Sequence, residues 1–237
     1  MPPSPLARRT LLGAAALAAP AAAQTTALDL LLVLAVDASG SIDEDEFRLQ
    51  REGLAEAVTH PSILAAIRSR PHGAIAIAMV EWGSPGGAAT VLDWMRLHDA
   101  ASAAALAQAL REAPRSRQSY NAIGDAIDHA ARLIAAAPYR AESRVIDVSG
   151  DGPDLRSLRP APQARDDAVA MGITINALAI ELAPVTRFGE RLGATYEREI
   201  IGGPGAFVMA AEDRRAFARA MRAKLVREIA GRIAIAT

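Results

Sequence analysis

The sequence of 237 residues contains no cysteine, which excludes disulfide frameworks, thiolate zinc sites, iron–sulfur clusters and cysteine nucleophiles. Aromatic residues make up only 4% of the chain, and Lys224 is the only lysine among its 26 basic residues. We attribute the scarcity of lysine to a genome that favours arginine and alanine. The formal net charge of −1, with both signs spread along the chain, gives no electrostatic basis for binding nucleic acid.

The residues that are present favour a folded domain. Hydrophobic residues account for 51% of the chain, which excludes intrinsic disorder, and the length suits one sizeable domain. There is no internal repeat, no run of like charges and no linker long enough to divide the chain. The 4 histidines are scattered without metal-ligand spacing, so we expect none of them in a functional site.

The first 23 residues have the features of a signal peptide. Arg8 and Arg9 precede a short apolar segment at residues 11–19, and the small residues 21–23 are typical of a cleavage site. The paired arginines also resemble a twin-arginine export signal. Because the apolar segment is too short for a stable membrane span, we expect a leader at 1–23 that is removed. The expected product is a domain at 24–237 that is periplasmic or secreted and has no stable membrane insertion.

The rest of the sequence alternates strand and helix patterns. Residues 28–36 form a nearly continuous aliphatic run, which is typical of a strand buried on both faces of a sheet. Asp43 and Glu46 have the spacing of a capping box and open a helix. The short glycine-rich link at 83–87 predicts an antiparallel hairpin between strands at 73–82 and 90–97.

Further strands are expected at 144–149, 173–180 and 206–210, with helices beginning near residues 100, 123, 162 and 217. The last helix places Phe217, Met221, Leu225 and Ile229 in one apolar stripe, which predicts a structural role in the core. The pattern predicts an α/β fold with a single doubly wound, mostly parallel sheet. One edge strand is expected to be antiparallel, and helices are expected on both faces.

Two of the predicted strands end in polar clusters. The first strand is followed by residues 37–41 (DASGS) and the fourth by residues 150–152 (GDG). In an open parallel sheet, ligands bind at the carboxyl ends of the strands. Asp37, Ser39 and Ser41 are alternate oxygen donors, and oxygen is the ligand that Mg²⁺ prefers. A helix cap and turn is the alternative explanation for this composition.

These motifs resemble those of von Willebrand factor A-like domains. Residues 37–41 have the DxSxS form of that family's metal-ion-dependent adhesion site, and Asp151 resembles its strand-four aspartate. Residues 121–127 resemble its threonine loop and the helix that follows. The resemblance extends over residues 27–231 and implies the Rossmann-like fold of the family. Three segments, at 80–82, 149–153 and 201–207, more narrowly resemble a bacterial family of exported A-like domains of undefined function.

The resemblance implies a Mg²⁺ ion, with Mn²⁺ or Ca²⁺ as alternatives, at the ends of strands one and four. Ser39 and Ser41 would bind it directly, and Asp37 and Asp151 would bind directly or through water. A carboxylate from an unidentified partner protein would complete the coordination shell. Asn121 stands where the family usually has threonine, and its amide oxygen is a candidate ligand.

Three further residues are candidates near this cluster. Ser119 replaces Asn121 as the ligand if the loop is shifted by two residues. Glu81 and Trp82 close the second strand at the same end of the sheet, where they are candidates for the rim of the site. For Trp82 we favour a tryptophan packed beside a capped turn over a position at the rim.

Two classes of function fit these residues. The favoured class is a metal-dependent protein-binding module that is not an enzyme and has no catalytic residues. The alternative is a Mg²⁺-dependent hydrolase of phosphate esters, because an aspartate at the end of strand one also suits phosphoryl transfer. The usual aspartyl-phosphate arrangement has a second acid two positions after the first, where this chain has Ser39.

The leader gives a prediction about the native protein. We expect its N-terminus near Gln24, and we expect replacement of both Arg8 and Arg9 by lysine to abolish export if the twin-arginine route is used. Mass spectrometry of periplasmic and cytoplasmic fractions would measure cleavage from the mass of the protein and export from the fraction that contains it. A cytoplasmic species that keeps residues 1–23 would contradict cleavage, and unchanged export of the double-lysine variant would indicate the general secretory route.

Overall fold

The sheet is built around β1 (Ala27–Asp37), whose residues are all buried except Ala27. The computed structural model describes residues 27–182, 189–213 and 216–230, so the predicted signal peptide lies outside the described residues. In this structure β1 lies between β2 (Ile75–Trp82) and β4 (Arg140–Gly150) and runs parallel to both. The aliphatic run therefore forms a central strand, as the sequence predicts.

Six strands form the sheet in the order β3-β2-β1-β4-β5-β6. β3 (Ala89–Leu97) pairs antiparallel with β2 at one edge. β5 (Thr174–Ile180) and β6 (Val208–Ala211) continue the sheet in parallel on the other side. The predicted mostly parallel sheet with one antiparallel edge strand is confirmed.

Helices pack on both faces of the sheet. One face carries α1 (Glu44–Thr59), α2 (Pro61–Arg68), α3 (Ala100–Glu112) and α7 (Phe217–Ala230). The other face carries α4 (Ile123–Ala135), α5 (Ala161–Ala170) and α6 (Leu192–Glu199). The apolar stripe of α7 is buried in the core of the first face, as expected. No helix in the described part of the chain has the length and apolar character needed to cross a bilayer.

The structure differs from the sequence prediction at three elements. The helix α2 was not predicted, because Pro61 suggested a break, whereas it occupies the first turn of a helix that His60 caps. The short polar helix α6 was also missed. β4 begins at Arg140 rather than near residue 144, because its first residues are mostly exposed and polar yet pair with the start of β1.

Lys224 of α7 lies fully buried against the sheet. Its Nζ atom is 2.6 Å from Asp147 Oδ1 and 2.6 Å from Glu228 Oε1. Asn176 of β5 donates a hydrogen bond to the same Glu228 oxygen at 2.8 Å, and its Oδ1 accepts the backbone N–H of Phe207 at 3.2 Å. The only lysine of the chain therefore has a specific position, which composition did not indicate.

The buried cluster holds two carboxylates and one ammonium group. Burial and the nearby Asp147 carboxylate raise the pKa of Glu228 from 4.5 to about 7, although Lys224 and Asn176 lower it. Glu228 therefore keeps a proton to a higher pH in the folded protein than in the unfolded chain. Its contribution to stability falls as the pH rises from about 4.5 through about 7.

Replacing Lys224 by methionine should lower the free energy of unfolding by about 3–5 kcal/mol, because it leaves buried carboxylates without their cation. The loss should be larger at pH 8 than at pH 5.5, where a protonated Glu228 reduces the repulsion. Urea unfolding at the two pH values measures both effects. Arg219→Met, which removes an exposed basic residue from the same helix, should change stability little at either pH. Equal losses in the two variants would contradict the role of Lys224.

Candidate metal centre

The strand order places the ends of β1 and β4 at a topological switch point. The chain leaves β1 toward β2 on one side of the sheet, whereas β4 pairs with β1 on the other side. A crevice forms at such a point between the loops that follow the strands. Asp37 is the last residue of β1, and Asp151 directly follows β4. Parallel pairing therefore brings the two acidic residues to the same end of the sheet, where the strands finish.

The loop after β1 turns so that its oxygen donors face one point. The backbone N–H of Ser39 donates to Asp37 Oδ1 at 2.8 Å, which is an Asx-type turn. The hydroxyl oxygens of Ser39 and Ser41 lie 3.0 Å apart, and Ser41 Oγ donates to Asp151 Oδ2 at 3.5 Å. The backbone N–H of Asp151 donates to Asp37 Oδ2 at 3.5 Å. These four predicted ligands form one connected cluster.

The electrostatic environment of Asp37 favours a cation. Its side chain is fully buried, and burial together with the Asp151 carboxylate raises the pKa of Asp37 from 3.8 to about 7. The N–H groups of Ser39 and Asp151 lower this pKa, and no basic side chain of the described residues is among the groups that act on it. A cation bound here would stabilise the ionised carboxylate. Carboxylate and hydroxyl oxygens are the donor set of a hard divalent metal.

An open cleft of about 440 Å³ lies beside the cluster. Both Ser39 and Ser41 line it, and so do Ser119 and Asn121, the two alternative ligands. The other side chains that line the cleft are Tyr120, Leu155 and Arg156. The structure thus brings both alternatives for the threonine position to the edge of the predicted site.

Asn121 connects the two loops that carry the site. Its backbone carbonyl accepts hydrogen bonds from the N–H groups of Leu155 at 2.9 Å and Arg156 at 3.1 Å. Its side chain packs against Gly152, where a Cβ would overlap the amide nitrogen, while Oδ1 is 4.0 Å from that Cβ position. A side chain at 152 would therefore displace the amide group of Asn121.

Asp154 fixes the loop after β4 to the start of α4, which has no capping side chain of its own. Asp154 Oδ1 accepts the backbone N–H of Ile123 at 2.9 Å and the hydroxyl of Ser157 at 2.5 Å. Ser157 Oγ accepts the N–H of Gly124 at 2.8 Å, and Asp154 Oδ2 accepts the N–H of Ala161 at 3.0 Å. Two of the N–H groups at the start of α4 are therefore satisfied by the neighbouring loop.

Glu81 and Trp82, predicted as rim residues, lie beneath the site instead. Glu81 is 1% exposed, pairs with buried Arg51 at 2.6 Å and accepts the N–H of Ser116 at 2.6 Å. Trp82 is 0% exposed and packs under Gly150, where a Cβ would lie 2.8 Å from the indole ring. The packed tryptophan that the sequence favours for Trp82 is therefore confirmed, and neither residue lies at the rim, because β2 is an interior strand with a core on each face. Glu81 instead fixes the loop that leads to Ser119 and Asn121.

The residues that support the site were not predicted from the sequence. A glutamate within the otherwise apolar strand 75–82 is a signal for a buried ion pair and could have indicated Glu81. No comparable signal marks Asp154, because one of its partners is a backbone N–H 31 positions away. Arg156, Tyr120 and Leu155 of the cleft were also missed, since exposed residues in loops have no periodic pattern.

A second group of potential metal ligands lies at the opposite end of the strands, where β1, β2 and β4 begin. Asp29, His72 and Glu142 each place one ligand atom within 4.8 Å of the others. Both oxygens of Asp29 accept backbone N–H groups, from His72 at 2.9 Å and Ala74 at 3.1 Å. Glu142 also faces Arg70 at 3.6 Å. These contacts join the starts of β1, β2 and β4, and they are separate from the cluster around Asp37.

The fold is similar to those of several solved structures. Proximal thread matrix protein 1 from the mussel byssus, with a zinc-occupied MIDAS motif, has a TM-score of 0.56 at 16% identity, covering 85% of this chain and 47% of that chain. The pilus adhesin SpaC from Lactobacillus rhamnosus GG has a TM-score of 0.61 at 14% identity, covering 86% and 30%. A von Willebrand factor type A protein from Catenulispora acidiphila has a TM-score of 0.55 at 18% identity, covering 85% and 43%.

The likeness at these identities establishes the fold alone, and the chain spans less than half the length of each of these three proteins. No curated protein matches the sequence. The sequence does match one family, described as "Protein of unknown function (DUF1194)", over residues 27–233. The chain therefore has a von Willebrand factor A-like fold and belongs to the DUF1194 family.

Proposed function

We propose that the protein is an exported, metal-dependent protein-binding module. Ser39 and Ser41 hold Mg²⁺ through their hydroxyl oxygens, Asp37 and Asp151 bind it directly or through water, and Asn121 lies at the edge of the shell. The bound ion supplies a Lewis-acidic position that accepts a carboxylate from a partner protein. Export to the periplasm or outside the cell rests on the predicted leader.

The observation that carries the proposal is the convergence of oxygen donors around a buried aspartate. Ser39 is 2% exposed, whereas Ser41 is exposed, so the donor cluster reaches from the protein interior to the cleft. Asp37 lies at the closed end of this arrangement and has a carboxylate, Asp151, as its neighbour. A divalent cation would offset the repulsion between the two acids and remain accessible to a side chain from outside.

Binding is preferred to hydrolysis because the carboxylates at the site are assigned to the metal. None of the described residues that line the cleft is a histidine, lysine or carboxylic acid, and the neighbouring carboxylate, Asp151, is bonded to Ser41. The position two residues after Asp37 is Ser39, which cannot serve as the second acid of an aspartyl-phosphate site. Ligation by serine hydroxyls, in contrast, requires no proton transfer to a substrate.

Calorimetry with Mg²⁺ should show one site in the wild-type protein, and Asp37→Asn should abolish it, because the amide keeps the shape but removes the charge. Mg²⁺ at about 100 times its Kd should raise the stability of the wild type by about 2.7 kcal/mol. The matched control is Asp45→Asn, which removes an exposed acid of α1 and should bind normally.

Binding that persists in Asp37→Asn would show that any metal lies elsewhere, with Asp29, His72 and Glu142 as the next candidates. A phosphate-ester screen with Mg²⁺ present tests the hydrolase alternative. Turnover that is lost in Asp37→Asn but kept in Asp45→Asn would contradict a module that only binds.

Asn121→Thr should tighten Mg²⁺ binding by about fivefold, equivalent to about 1 kcal/mol. A threonine hydroxyl is held by β-branching, whereas the longer asparagine offers both an oxygen and an amide group, of which only the oxygen suits a cation. Asn121→Ala should weaken binding, and calorimetry of the three proteins measures the series. The backbone carbonyl that holds Leu155 and Arg156 is the same in all three. Equal affinities would place residue 121 outside the shell and direct attention to Ser119.

A further inference from the structure

Two exposed apolar side chains lie on the loops at the site. Of the six large hydrophobic residues of the described chain that stand out as exposed, Tyr120 is 54% and Leu155 is 39% exposed. Leu158, at 73%, lies in the same loop as Leu155 but lines a separate cavity. Single exposed hydrophobic residues are ordinary on protein surfaces, but a contiguous group marks an interaction site. Tyr120 and Leu155 both line the cleft beside the serine hydroxyls.

The backbone holds these side chains outward. The N–H of Leu155 is bonded to the Asn121 carbonyl at 2.9 Å, directly after Asp154, whose carboxylate is anchored at the start of α4. The carbonyl of Tyr120 lies so close to Gly83 that a Cβ there would be 2.7 Å away. Hydrogen bonds therefore hold the backbone at Leu155, and the backbone at Tyr120 packs closely against Gly83.

The cleft also contains a positive group. Among the described residues Arg156 is the only basic side chain that lines it, and its guanidinium lies 5.5 Å from the centre of the Tyr120 ring. A cation over an aromatic face is attracted to the ring, which favours this position for the guanidinium. Arginine can also bind a carboxylate through two N–H groups. One wall of the cleft thus offers charge and apolar surface side by side.

We propose that the cleft recognises a short peptide segment in which an acidic residue lies next to an apolar one. The acidic side chain occupies the metal centre with Arg156 beside it, and the neighbouring apolar side chain packs on Tyr120 and Leu155. A volume of about 440 Å³ is within the usual range of sites for small ligands and suits a few side chains rather than an extended surface. This inference rests on the proposed function for the metal, but its apolar half depends on Tyr120 and Leu155 alone.

Selection of short random peptides on the wild-type protein with Mg²⁺ present tests this pairing. The enriched peptides should carry Asp or Glu within two positions of Leu, Ile, Phe or Met. Fluorescence polarisation then measures one enriched peptide against the variants. Leu155→Ser should weaken its binding about tenfold, as expected for the loss of one buried apolar side chain. Leu49→Ser, the same substitution at an exposed leucine of α1, should have no effect.

A double-mutant cycle separates the apolar contact from other effects. Replacing the apolar residue of the peptide by serine should cost about tenfold with the wild type and little with Leu155→Ser. Normal Mg²⁺ calorimetry of Leu155→Ser shows that the variant is folded. The inference would be overturned if the enriched peptides lacked the acidic–apolar pair, or if the peptide substitution cost as much with Leu155→Ser as with the wild type. In either case Mg²⁺ binding would leave the proposed function intact. Peptide binding that survives a chelator would instead overturn the metal-dependent function and keep the apolar contact.

Discussion

The site depends on holding Asp37 in the protein interior beside a second acid. Burial and the charge of Asp151 both oppose ionisation of this carboxylate, so the free energy of the arrangement is unfavourable unless the surrounding structure maintains it. The fold meets this constraint with the parallel pairing of β1 and β4, which fixes the positions of both strand ends. The loops that follow them must then be held without help from regular secondary structure.

Side chains that accept backbone N–H groups hold those loops. Asp154 bonds the loop after β4 to α4, and Asp125 accepts the N–H groups of Gly86 and Leu158, which lie in two different loops. Glu81 accepts the N–H of Ser116 while it pairs with Arg51. Each acidic side chain joins segments that are far apart in sequence, and bonds to a charged acceptor are stronger than neutral ones. These bonds connect the loops around the cleft to one another and to α4.

The sequence predicted those features that are set by local pattern. The buried strand β1, the capping box at Asp43, the hairpin and the convergence of the two strand ends all follow from periodicity, turn residues and the rules of parallel sheets. The helix α2 was not predicted, because a proline such as Pro61 can follow the end of one helix or occupy the first turn of another. The buried positions of Glu81 and Lys224 depend on partners in other elements, which a single sequence without contacts does not reveal.

Two buried acidic pairs in this fold differ in how they obtain a cation. Asp147 and Glu228 receive the ammonium group of Lys224, the only lysine of the chain, from a helix packed against the sheet. Asp37 is at least as deeply buried, yet the described residues supply it with N–H groups and a neighbouring carboxylate and no basic partner. The first pair is buried together with its cation, which a side chain of α7 supplies. The pair of Asp37 and Asp151 opens through Ser41 to a cleft, so its cation can come from solution. Binding at a site that depends on such a cation responds to the concentration of that cation.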